Sequence, residues 1–594
     1  MKKAFLTILL VALVVISTNS YSDELQTTYA KALSLFNNQK YLEAYKLLDK
    51  VIVQNENSPL QFYIKAFDAL NEAFLNGQID EKSLAKETKK YDELLDKREI
   101  KEIRVLESFL YLLANTRNVE KIEEICKKII LTDDKNITAS FFLMKILIQK
   151  EKFNLAYNIG IRIIKGTPVD EMNYKLISEV KYLSLISKLY SKNMKDIEEI
   201  LSYLKEDETP HIAYILINTY YTMMMFEKVK EVIDEAGIID PEVATKTYIA
   251  LNDKTSLRKV LNEYSEEIPN EVKSLANEFL NDNISEVKKQ INSQNFKGDP
   301  TAMKLKLEIS TKEKNKKEMN QALREISYFL FAQGRYKDTI PYLEKIKNQD
   351  DLSYYLLGSC YMEQKEYNKA LKAFSKIKKD FKIDARIREA FSMILLGNYA
   401  KAREIVKQTM KEIISKGNDT QKILVSQILI ELGDTKSATK VLSSCNNKDN
   451  SEYNITLATI YFLEKDYSNA EKILKSILEN DEYDIYAMNA LAYLWATKNE
   501  NLEEALKLVS LSLFFEPEDY TLLDTAAFIH YKMGNYQKAK ELIAKSVENM
   551  EKEGRSSYEI YLHASEIYET SGEKDKSVKM LNKAQEAYKK IYQR

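Results

Sequence analysis

The chain has 594 residues with nearly balanced charge, 88 basic against 90 acidic, which argues against a general nucleic-acid binder, since that function needs a net basic face. Only 13 glycines and 8 prolines occur, far below the usual usage of about 7% and 5%, so a strand-rich fold with many tight turns is excluded. Leu, Lys, Glu, Ala and Ile dominate, and an all-α chain is expected.

In chain order, Met1-Lys2-Lys3 is a short basic start, Ala4 to Ile16 is apolar except for Thr7, and Ser17 to Ser22 is small and polar. This is the layout of a secretory signal peptide, residues 1–22, cut before Asp23. The apolar run makes a helix of roughly 20 Å, shorter than the ~30 Å hydrocarbon core, so a permanent anchor is the weaker reading. No cysteine follows the run, which disfavours a bacterial lipoprotein. The expected location is beyond a bacterial inner membrane, periplasmic or secreted, with no stable transmembrane anchor after cleavage.

Residues 23–300 carry a degenerate signature: an aromatic or large apolar residue, then a smaller one three positions on, then an apolar one four further. It reads Tyr41/Ala44/Leu48, Phe153/Ala156/Gly160 and Phe226/Val229/Ile233, and between these sit Val119/Ile122/Cys126 and several helical stretches without the signature. Met223-Met224-Met225-Phe226 is an unusual apolar cluster, read as core filling at a helix end. Turn formers then gather at 292–301, the expected boundary between two solenoid segments.

Residues 301–594 repeat the signature cleanly as Tyr336/Thr339/Leu343, Tyr367/Ala370/Phe374, Tyr399/Ala402/Val406, Tyr467/Ala470/Leu474, Leu502/Ala505/Val509 and Tyr536/Ala539/Ile543. The small residue recurs at 370, 402, 438, 470, 505 and 539, in steps of 32, 36, 32, 35 and 34 residues. A period near 34 marks a helix-turn-helix array. Within 351–384, Tyr354, Leu357, Gly358 and Tyr361 line a first helix, and Tyr367, Ala370, Phe374 and Ile377 a second. Gly358 and Ala370 let the two helices approach closely at their crossing.

These residues resemble the tetratricopeptide repeat family, with a departure at Ile377, where the pattern has a small residue. The resemblance implies a right-handed superhelical solenoid that binds partners in its concave groove. By register, Tyr328, Phe331, Tyr355, Met362, Phe462, Tyr493 and Tyr531 fall on the groove face and are the candidate partner-binding residues. The Lys/Asn/Arg clamp by which some family members hold a carboxylate is not evident, and Asp524 and Glu363 in the groove register would oppose it. The chain end reads as a polar cap, with Ser577, Leu581, Ala584, Tyr588 and Ile591 as its inward stripe.

No catalytic, cofactor or metal site is expected. The three histidines, His211, His530 and His563, have no metal-ligand spacing, and phosphate-binding and nucleophile-elbow motifs are absent. Cys126, Cys360 and Cys445 are far apart and read as small buried hydrophobes. The sequence therefore points to an exported, non-catalytic scaffold that holds a protein partner in the bacterial envelope. The alternative is a helical-repeat module for an envelope polysaccharide, its tyrosines stacking on sugar rings.

Overall fold

The computed structural model describes residues 23–170, 173–191, 197–205 and 210–592, so the expected signal peptide lies outside the described residues. These contain 33 α-helices and no strand. The helices fall into two compact units, Met1–Pro168 and Val169–Arg594.

The first unit runs from the helix Asp23–Asn37 to the helix Phe153–Gly166. Its core is aromatic. The rings of Phe67 and Tyr91 meet edge-on at 4.9 Å, and Phe67 lies 5.2 Å from Phe109. Tyr91 comes from the helix Glu81–Lys97, and its hydroxyl donates to Asp49 Oδ1 at 2.7 Å. A buried ring with a satisfied hydroxyl fastens that polar helix to the rest.

The second unit contains the regular array. The turn between paired helices explains the signature's first position. Tyr41, Phe153, Phe226, Tyr336, Tyr367, Tyr399, Tyr467 and Tyr536 are each the first residue of a second helix. Two residues earlier stands a residue with positive φ, such as Gln39 (φ 60), Lys365 (φ 59), Gly397 (φ 73) and Gly534 (φ 81). At Gly534 the first helix closes with Asn535 N–H donating to His530 O at 2.8 Å and Gly534 N–H to Tyr531 O at 3.0 Å. That double bond is the Schellman ending, which satisfies the last carbonyls and turns the chain sharply enough for an antiparallel partner.

The small positions sit where the paired helices cross. Ala370, Ala402, Ala438, Ala470, Ala505 and Ala539 are all 0% exposed. A Cβ on Gly358 would meet the Phe374 ring, 2.7 Å from its Cδ1, so the close approach expected at this pair is real. Second helices bury one stripe, as in Ala370, Ala373 and Phe374. First helices are packed on two sides, by their own partner and by the next repeat, and Asp351–Glu363 buries six consecutive residues from Leu356 to Tyr361.

The stretch 292–301 contains a 3-10 turn, Gln294–Phe296, with Phe296 buried, followed by Asp299, which caps the helix Pro300–Lys312. Asp299 also accepts from the Tyr221 hydroxyl at 3.0 Å and pairs with Lys246 at 3.1 Å, so this segment is packed into the second unit. Met223 and Phe226 are buried, in keeping with core filling at that helix end. All three cysteines are free and buried, and burial pushes the Cys126 and Cys360 thiols up to about 12.

The terminal helix Lys574–Tyr592 corrects one expectation. Its buried line is Ser577, Met580, Ala584 and Ala587, whereas Leu581 and Tyr588 are 40% and 46% exposed. From Ser577 the packed face advances by three, four and three residues, so the stripe is rotated away from Leu581 and Tyr588.

Candidate functional site

The last repeats line an open cavity of about 700 Å³. First helices of successive repeats build its wall. Ser451–Leu463 supplies Thr459 and Phe462, Ile485–Lys498 supplies Asn489 and Tyr493, and Tyr520–Lys532 supplies Tyr520 and Asp524. The loop before the last pair adds Arg555, the helix Tyr558–Thr570 adds Tyr558 and Glu559, and the end of the terminal helix adds Ile591 and Tyr592.

The cavity is spanned by long-range contacts. Arg555 Nη1 pairs with Glu431 Oε1 at 3.2 Å, 124 residues away in sequence, and its guanidinium lies 5.3 Å over the Phe391 ring. Tyr592 lies against Gly433. A Cβ on Gly433 would come within 2.5 Å of the tyrosine ring, and its φ of +74 is one that favours glycine.

Beneath the wall is a buried ion pair. His563 Nδ1 lies 3.1 Å from both Asp524 carboxylate oxygens, and the imidazole stacks on Phe528 at 4.3 Å and 16°. Burial disfavours the charged ring, but the Asp524 carboxylate outweighs it, and the His563 pKa lies above its ordinary value. Among the described residues no hydroxyl or thiol is hydrogen-bonded to the other ring nitrogen.

Glu559 stands one turn earlier on the same helix. It is exposed to the cavity, and its surroundings push its carboxyl pKa up through burial, with His563 opposing. Burial likewise raises Glu431, with Arg555 opposing. Asn489 Oδ1 is buried and accepts no hydrogen bond.

The groove residues expected from register divide. Phe462 and Tyr493 come together, ring centroids 5.5 Å apart, and both line the cavity. Tyr531 stands outside the lining, 5.9 Å from Tyr536. Tyr328, Phe331, Tyr355 and Met362 pack partly buried against the core around Leu343, Cys360 and Phe374. Tyr355 is sandwiched further, stacked on Phe381 at 5.1 Å and accepting from Arg388 Nε at 3.0 Å. Arg555, Glu559, Tyr558 and Tyr592 lie outside the signature positions, and the sequence carries no motif that marks them. Among the described residues, no group of three or more His, Cys, Asp or Glu could hold a metal, and no helix is long and apolar enough to cross a membrane.

Consecutive packed helix pairs, repeating along the chain with a small buried residue at the crossings, define a helical-repeat solenoid. Its period, its turn and its signature positions resemble those of tetratricopeptide repeats. The family model for Intraflagellar transport protein 56 matches residues 353–587. Among solved structures, Cut9 with Hcn1 from the APC/C hetero-tetramer is similar at 14% identity and TM-score 0.33, over 80% of this chain and 96% of that one. A tetratricopeptide repeat protein from Parabacteroides merdae is 19% identical with TM-score 0.26, over 45% of this chain and 93% of that one. PilF of Pseudomonas aeruginosa is 14% identical with TM-score 0.25, over 35% and 91% respectively. No curated protein sequence matches the chain significantly.

Proposed function

We propose that this protein is an exported, non-catalytic scaffold of the bacterial envelope that holds a protein partner on the concave face of its second unit. The cavity is the observation that carries the reading. It is walled by aromatic rings on rigid first helices, and rigid aromatics give large contact area for little entropy loss. Solenoids of stacked helix pairs present such a face as an extended binding surface. The basic, apolar and small-polar start of the sequence supports export.

Crosslinking in cells tests this, with a photoreactive phenylalanine derivative placed at Phe462 or Tyr520. One dominant adduct with an envelope protein is the expected result. An exported protein that yields no adduct from either position would overturn the scaffold reading at this site.

A further inference from the structure

The cavity's own chemistry narrows what can enter it. Its lining holds three carboxylates, Glu431, Asp524 and Glu559, against one guanidinium, Arg555. Two of the three are already matched, Glu431 by Arg555 and Asp524 by His563. Glu559 makes no ion pair or side-chain hydrogen bond among the described residues, yet it faces the cavity. Its charge is felt by Tyr493 and Tyr592 on two other walls, since it raises the pKa of both hydroxyls beyond the effect of burial. An occupant that satisfies Glu559 must donate hydrogen bonds and carry positive charge.

Lysine and arginine side chains have that character, donors with no acceptor. Tyrosine faces attract a cation through the ring quadrupole, and Tyr493, Tyr558 and Tyr592 supply them around Glu559. Arg555 does not turn the site toward anions, because its charge is engaged by Glu431 and its plane by Phe391. A volume of about 700 Å³ is within the range of pre-formed ligand sites and admits a side chain together with the backbone that carries it.

We infer that the cavity takes a lysine or arginine side chain from a basic segment of the partner protein, with Glu559 as its counter-charge. This inference rests on the scaffold reading above, and it specifies the partner's charge.

The test pans the purified full chain against random decapeptides displayed on phage. The bound set should be enriched in Lys and Arg over the input. Glu559→Gln should abolish that enrichment, and Glu559→Lys should shift it toward Asp and Glu. Folding is controlled by melting, where Glu559→Gln should stay close to the parent because Glu559 makes no ion pair or side-chain hydrogen bond among the described residues. A bound set with no basic enrichment, an enrichment that survives Glu559→Gln, or no bound peptide at all would each overturn the inference. The two readings separate cleanly: a cellular adduct that maps to a neutral or acidic segment keeps the scaffold and removes the basic partner.

Discussion

Residues 316–395 and 419–592 obey the same repeat pattern and place aromatics at the same helix positions, yet the expected groove aromatics line the 700 Å³ cavity only in the second region. In the first, Tyr355 is held between Phe381 and Arg388, and Tyr328 and Phe331 rest on the core. In the second, Phe462 and Tyr493 touch each other and keep one flank open. The difference comes from what stands opposite. Close neighbours fill the first groove, whereas the second is spanned by Arg555 and Tyr592 reaching back to Glu431 and Gly433. Register thus decides that a ring faces the groove, and long-range closure decides whether the groove is filled or spanned.

The sharpest break of that comparison is Asp524→Leu. It strands His563 in an apolar setting without its counter-charge, and removing one partner of a buried pair costs about 3–5 kcal/mol. Hydrogen exchange should accelerate in the helices Tyr520–Lys532 and Tyr558–Thr570 and stay unchanged in Asp351–Glu363. Next come Ala370→Trp and Ala539→Trp, one in each region. Both overpack a fully buried helix crossing, at about 1–3 kcal/mol or more, and an unchanged melting curve for either would contradict the packing described at that crossing. Arg555→Ala should cost less, about 1 kcal/mol, because the pair with Glu431 is only half-buried. Its readout is faster exchange in Lys574–Tyr592 with none in Tyr367–Phe374, and equal changes in both would contradict closure by that residue. The smallest effect is on pH. His563 has a folded pKa above its unfolded value, so its contribution is complete below the ordinary histidine range and is lost as pH rises through the folded value. Melting temperature should therefore decline from slightly acid to alkaline pH, and His563→Gln should flatten that decline.

Much of the fold was legible because its determinants are local. The signature aromatic opens each second helix, the alanine three residues on marks the crossing, and Gly397 and Gly534 announce the turns. Gln39 and Lys365 occupy the same positive-φ position without a glycine to signal it, since the Schellman hydrogen bonds offset the strain there. The site was legible only where register suffices, at Phe462, Tyr493 and the groove position of Asp524. His563 lies 39 residues from Asp524, a separation that matches no motif. Arg555, Glu559 and Tyr592 depend on the pitch of the superhelix, which sums small rotations over several repeats and has no local spelling. The terminal stripe was displaced because Leu581 and Tyr588 are apolar enough to read as inward, whereas the helix packs through Ser577, Met580, Ala584 and Ala587 and leaves them exposed.

The contact of Tyr592 with Gly433 has a consequence for how the molecule comes apart. A linear stack ordinarily frays from its last member, which has a neighbour on one side only. Here that member is latched to a repeat far back along the chain, with Arg555 and Glu431 as a second fastening beside it. The final helix therefore cannot peel away without opening the arc that it closes, and the nominal end of the array acquires the protection of an interior position.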